Sequence, residues 1–513
     1  MKRMTRAARR MSAFDLSLVL AMAGCGSAAP LQPSAAPHTG TETTTTSAGV
    51  DAPPPPLDSK PSPFPKVLRT TLRNGLRVSV VESRALPIVE LRVVIHAGEG
   101  FGFPGVSEIT AKMLREGGTR AHSASEVVKR IETLGSRVDV AVGPDATRLS
   151  MGVVDGQLGA ALDILGELLT TPRFDGAELE RVKARMTDQA REDARANGMW
   201  SAGRLVFHEL FPPSSPYASH GVVPSEIARV NGAAVRDFYR RLYVPPNVDV
   251  IVAGAVSADD AVKAADRAFG AWRPTTDALP SSNFPAPGAP RMTRVIVVDR
   301  PKSVQSDIVV ADLVPGRHSS TWPTDRVAIQ VFGGGMTGRL FQDVREKRSL
   351  AYAASAHPLE LANGPQPLLA YVGTRAPETA DAVQAVMDNL AGMRASPPTD
   401  GEVATARRYL SDIFSVRMET LGAISDMVAQ LSELGLPDDY WDSYRAALRG
   451  VTTEGADREA AKMFDPDHSL ILVVGDQDVV AAPLARFGEV TVVDPEHEFR
   501  TLRTLPKTGA RSR

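Results

Sequence analysis

The chain repeats itself, and that constrains its fold more than any single motif. "IVELRVVIHAGEG" (88–100) has a counterpart in "SDIVVADLVPG" (306–316), and "AELERVKARMTDQA" (177–190) has one in "GEVATARRYLSDIF" (401–414). "NVDVIVAGAV" (247–256) returns as "HSLILVVGDQD" (468–478). The offset holds at about 220 residues through strands and helices alike, as expected of a duplicated domain. At 513 residues the chain is too long for one core and long enough for two.

Each copy mixes strands and helices. "LRNGLRVSVVES" (72–83) reads as strand, Asn-Gly turn, strand. "SASEVVKRIETLG" (123–135) reads as a helix opened by Ser123 or Ser125 and closed by Gly135. "GQLGAALDILGELLTTP" is an amphipathic helix stopped by Pro172, and a long polar helix follows. The expected class is α+β, each half a mostly antiparallel sheet with helices packed on one face. The first half is expected over 66–272 and the second over 292–507. The Pro/Ser-rich segment 273–291 joins them.

Composition narrows the function classes. The formal net charge of −2 argues against a nucleic-acid binder. The single cysteine, Cys25, allows no intrachain disulfide and no Cys-based zinc site. It follows a basic start, a short apolar stretch and "MAG", within a signal-like segment 1–25. This layout is similar to a bacterial lipoprotein signal, which implies a lipid on Cys25 and a body anchored in the cell envelope, facing the periplasm. Residues 26–65, with "TETTTTSAG" and "DAPPPPLDSKPSPFP", are too poor in apolar side chains to fold and read as a tether.

From 66 to 505 the chain resembles the pitrilysin/insulinase family of zinc peptidases, the inverzincins. The resemblance is carried by "LRNGLRVSVVES", "PGVSEITAKMLREGGT", "PYASHGVVPSEIARV", "FYRRLYVPPNVDVIVAGAV" and "GRLFQDVREKRSLAY", in that order. It implies two similar α+β halves closing like a clam shell around a peptide. Active members carry H-x-x-E-H on a first-half helix, with a glutamate from a later long helix as third zinc ligand. Aligning Gly105 and Met113-Leu114 places Glu108, Ala111 and Lys112 at the motif positions, and the later ligand position falls near Thr187. No histidine lies between His96 and His122, and no two of the nine histidines are three to five apart. A lone carboxylate beside an ammonium does not hold zinc, so no metal is expected in this chain. Glu108 and Lys112 read instead as an i, i+4 ion pair on a helix whose apolar face is Val106, Ile109, Met113 and Leu114. His208 beside Glu209 in "FHELF", and His220 in "PYASHG", lack a second histidine at ligand spacing.

The second half keeps more of the family pattern. Active relatives place an arginine and a tyrosine, seven apart, opposite the zinc, where they donate to the substrate's carbonyl. Here Arg345 and Tyr352 have that spacing in "LFQDVREKRSLAY". Gly333, Gly334 and Gly335 read either as a substrate-touching loop, as in noncatalytic relatives, or as a turn before a helix. The resemblance therefore implies a noncatalytic subunit of a heterodimer. It would bind extended peptides, with Arg345 and Tyr352 completing the site of a zinc-bearing homologue. Two other readings stay open at this point: an inert binding or scaffold protein of the envelope, and an active metallopeptidase with an unrecognised metal site.

Overall fold

The computed structural model describes residues 62–273, 279, 284–285 and 292–508. The signal-like segment, Cys25, the tether as far as residue 61 and most of the 273–291 join lie outside the described residues. Leu68–Thr71 (β1), Arg77–Glu82 (β2), Ile88–Ile95 (β3), Asp139–Val142 (β4), Thr147–Val154 (β5) and Val248–Gly254 (β6) form one sheet, ordered β1-β2-β6-β3-β5-β4. Arg294–Asp299 (β7), Gln305–Val314 (β8), Ala351–Pro358 (β9), Gln366–Arg375 (β10), Leu470–Gly475 (β11), Val490–Asp494 (β12) and Arg500–Leu505 (β13) form the other. Its order is β13-β12-β7-β11-β8-β10-β9. The path β2-β6-β3-β5-β4 recurs strand for strand as β7-β11-β8-β10-β9, so the duplication read in the sequence is a duplication of topology. Pairing is parallel between β2 and β6, β7 and β11, and β7 and β12, and antiparallel elsewhere.

The main helices also correspond. Val106–Glu116 (α1), Leu158–Thr170 (α2), Gly176–Ala196 (α3), Gly198–Leu210 (α4) and Gly232–Leu242 (α5) are matched by five in the second half. These are Trp322–Gly333 (α6), Thr379–Ala395 (α7), Asp400–Arg417 (α8), Leu421–Glu433 (α9) and Thr453–Met463 (α10). α1 packs on α3 and α5, and α6 packs on α8 and α10 in the same way. Val106, Ile109, Met113 and Leu114 are buried, the face their spacing requires. The helix Ala124–Thr133 opens with a capping box in which the Ser123 side chain accepts from the Glu126 backbone N–H, and Gly135 follows it at φ +65°.

The sheets are covered on both faces, which goes beyond the one-faced packing read from the sequence. In β3, Val93 and Ile95 join the core under α1 and α2, whereas Val94 between them faces the other way. That other face of the first sheet is covered by α9, from the second half, lying across β3 and β6. Reciprocally, α4 of the first half lies across β8 and β11. Its Ala202, Leu205 and Val206 pack on Val309, Ala311, Leu472 and Val474. The halves thus trade one helix each.

The α9 contact is charged as well as apolar. Arg92 on β3 donates to Asp426 at 2.7 Å and to the Gly422 carbonyl at 3.2 Å. Arg148 on β5 grips Glu433 with two bonds of 2.7 and 2.6 Å. Asp249 on β6 accepts from Arg77, His96 and Ser432. Removing Glu433 from this partly buried fork leaves Arg148 with only the longer Asp426 contact of 3.5 Å. We expect Glu433→Leu to cost about 3 kcal/mol in urea unfolding, and Arg148→Met/Glu433→Leu to cost less than that single change. A double-variant loss equal to the sum of the two single losses would show that the fork itself contributes little.

Candidate functional site

The first-half position for a metal is built by α1 and α3. Ala111 is buried, Lys112 is exposed, and Thr187 lies half-buried on α3. Arg185 on α3 forms an ion pair with Glu116 on α1, tying the two helices together. The expected ion pair between Glu108 and Lys112 is not among those formed. Glu108 instead accepts the Ser107 hydroxyl at 2.7 Å and faces Glu99 and His220. His220 has a partner that the sequence did not reveal: its Nδ1 stands 2.7 Å from Glu99, with the Phe207 ring 4.4 Å away between centroids. His208 is exposed, and Glu209 pairs with Arg294 on β7. Among the described residues no group of three or more His, Cys, Asp or Glu side chains is arranged to hold a metal. The donor set at the motif positions is one carboxylate, one methyl, one ammonium and one hydroxyl, which does not fit zinc.

The second-half pair is brought together. Gln342–Lys347 is wound as a π-helical turn, and Arg345 sits on it. Ser349 then turns the chain at φ +53° into β9. Arg345 Nη1 donates to the Tyr352 carbonyl at 2.9 Å, and its guanidinium stands 5.0 Å from the centre of the Phe341 ring. At Tyr352 the β9–β10 register slips: Ala353 opposes Gly373, but Ala351 opposes Thr374. Tyr352 is the extra residue of a β-bulge, which turns its side chain out of the strand's alternation. It is 50% exposed. A π-turn and a bulge each cost regular hydrogen bonding, and both recur beside functional sites.

The glycines are set by packing more than by the loop. A Cβ on Gly333 would stand 2.6 Å from the Ala356 side chain, and one on Gly334 would strike Gln330. Only Gly335, at φ +120°, needs glycine for its backbone. The turn carries Met336 outward, 73% exposed. Two further residues reach Tyr352 that the sequence reading passed over. The Tyr371 hydroxyl lies 3.4 Å from that of Tyr352, and it donates to Asp307 at 2.9 Å. Their signal was present in the sequence: a carboxylate and a phenol on interior strands, each requiring a partner.

Burial and the nearby Glu99 charge push the Glu108 carboxyl up to about 7. The folded state therefore holds a proton that the unfolded chain releases near pH 4.5, and stability falls as pH rises through that window. Glu108→Gln is expected to stabilise by about 1–2 kcal/mol at about pH 8 and to give no gain near pH 4.5, read by thermal unfolding at both pH values.

Known proteins resemble this chain in sequence and in fold. The sequence profile described as Insulinase (Peptidase family M16) matches residues 77–204, and that of the Peptidase M16 inactive domain matches 229–410. An uncharacterized zinc protease of Bacillus subtilis, YmxG, is 23% identical over 79% of this chain and 98% of its own length. One of Mycobacterium leprae is 26% identical over 74% of this chain and 84% of its own. A peptidase M16 inactive domain from Pseudomonas fluorescens superposes with a TM-score of 0.72 at 23% identity, covering 80% of this chain and 98% of that one. The first half of the periplasmic protease PqqL of Escherichia coli superposes with 0.68 at 18% identity, covering 83% and 95%. The matched profiles and the shared fold together identify the chain as a member of the insulinase family, peptidase family M16.

Proposed function

We propose that this chain is a noncatalytic subunit that binds an extended peptide and presents Arg345 and Tyr352 to its backbone carbonyl, beside a zinc-bearing family member. The observation that carries this is the contrast between the two halves. The first-half helix has one carboxylate where a ligand set would stand, while Arg345 and Tyr352 converge on a π-turn and a bulge. The metal and its water belong to the partner chain. This chain supplies a guanidinium and a phenol hydroxyl. Held in place before reaction, they stabilise charge as it grows on the carbonyl oxygen, and more strongly where water is excluded. The exchanged helices α4 and α9 bind the two halves to each other. On this reading the partner completes the chamber that holds the peptide.

An exported, lipid-anchored body fits the signal-like start and Cys25, and one structural neighbour is described as a periplasmic protease. On this reading Cys25→Ser moves the protein from the membrane to the soluble fraction. An unchanged membrane fraction would remove the lipid from the account. For the site, Arg345→Ala and Tyr352→Phe in the complex recovered from native membrane are expected to lower kcat by roughly tenfold to a hundredfold, with KM within about twofold. Recovery of the chain without a zinc-bearing homologue, or an unchanged kcat, would leave a binding or scaffold role in its place.

A further inference from the structure

We infer that Tyr371 and Asp307 are positioning residues for Tyr352, forming a hydrogen-bonded chain that sets where its hydroxyl stands. The inference rests on the role proposed above for Tyr352. A bulged, half-exposed tyrosine would ordinarily sample several rotamers. Here two contacts fix it, and a third, weaker one orients its hydroxyl. Its backbone carbonyl is held by Arg345 at 2.9 Å. Its ring lies on Gly373, where a Cβ would stand 2.4 Å from Cζ and 2.5 Å from the hydroxyl oxygen, so only glycine leaves room for the ring. Its hydroxyl meets that of Tyr371 at 3.4 Å.

The direction of the hydrogen bonds follows from the chemistry of Asp307. An ionised carboxylate only accepts, so the single Tyr371 proton points to Asp307 across 2.9 Å. The Tyr371 oxygen is then left as an acceptor facing Tyr352. At 3.4 Å that contact is long and weak, whereas the bond from Tyr371 to Asp307 is short and charge-assisted. A substrate carbonyl at normal hydrogen-bond distance would draw the Tyr352 proton away from Tyr371 at little cost. The Tyr352 proton is thus engaged by Tyr371 only weakly, and it remains available to a substrate carbonyl. Burial, with Asp307 adding to it, raises the Tyr371 phenol well above its ordinary range, so it stays a neutral relay.

Asp307 is committed to this role by its surroundings. It forms no ion pair among those of the described residues, and its other oxygen packs against Gly198, the first residue of α4. A Cβ on Gly198 would stand 2.5 Å from that oxygen. Tyr371 and Val309 are paired across β10 and β8, and both belong to the sheet face that α4 covers. The chain from Tyr352 thus ends under a helix contributed by the first half. The orientation of a second-half group is set by the packing between halves.

The test is a double-variant cycle in the native complex, with quenched-fluorescent casein as substrate. Tyr371→Phe and Asp307→Asn are each expected to lower kcat roughly fivefold with KM unchanged, and to have no further effect in a Tyr352→Phe background. That loss of additivity is the readout, since general damage to the fold would lower both backgrounds alike. If either variant lowers kcat by the same factor with Tyr352 or with Phe, or if neither lowers it while Tyr352→Phe does, the positioning role is wrong. If Tyr352→Phe itself leaves kcat unchanged, the proposed function fails, and the positioning role falls with it. Should Asp307→Asn not fold, Tyr371→Phe, which removes one oxygen from a half-buried site, decides the question alone.

Discussion

The structure depends on one constraint. Each sheet has two apolar faces, and its own half supplies helices for only one of them. Val94, Ile251 and Ala253 on the first sheet, and Val309, Leu472 and Val474 on the second, would lie open to water in an isolated half. α9 and α4 close them reciprocally. Arg92 and Arg148 then find their carboxylates on α9, so charge pairing fixes the register of a contact driven mainly by apolar burial. Neither half can complete its core alone, although each carries a full copy of the topology.

That exchange reaches Arg345 and Tyr352. Tyr352 lies on β9, at one edge of the second sheet, and Arg345 on the π-turn that precedes it, where irregular backbone is tolerated. Beneath them β10 and β8 carry Tyr371 and Asp307 toward α4. A rigid face stabilised by the opposite half supports a pair whose own backbone is irregular. The first-half helix α1 shows the opposite trade. Its packing face is intact, while its other face has become Glu108, Ala111 and Lys112, set beside a Glu99–His220 pair. The packing face is held by the core, and the residues of the other face lie outside that constraint.

Much of this was legible beforehand. The duplication, the mixed class, the α1 face and the Ser123 cap all follow from short-range pattern, because period and capping chemistry act within a few residues. The Arg345–Tyr352 spacing was legible only through family resemblance, since "VREKR" by itself reads as a solvated helix face. The Glu108–Lys112 pair was a sound expectation from i, i+4 spacing. It is not formed: Glu108 accepts the Ser107 hydroxyl and turns toward Glu99 and His220.

The sequence by itself determined that there are two copies, what elements each contains, and that the positions the resemblance aligns with zinc ligands carry Glu108, Ala111, Lys112 and Thr187, a set unfit for zinc. Those are statements about residue identity and local period. Only the tertiary structure decided which helix covers which sheet, that Glu99 partners His220, and that Tyr371 and Asp307 stand behind Tyr352. These contacts join residues far apart in the chain, and the same local sequence would permit other partners. What selects among them is the burial of a second apolar face on each sheet, a requirement that exists only once both sheets are formed.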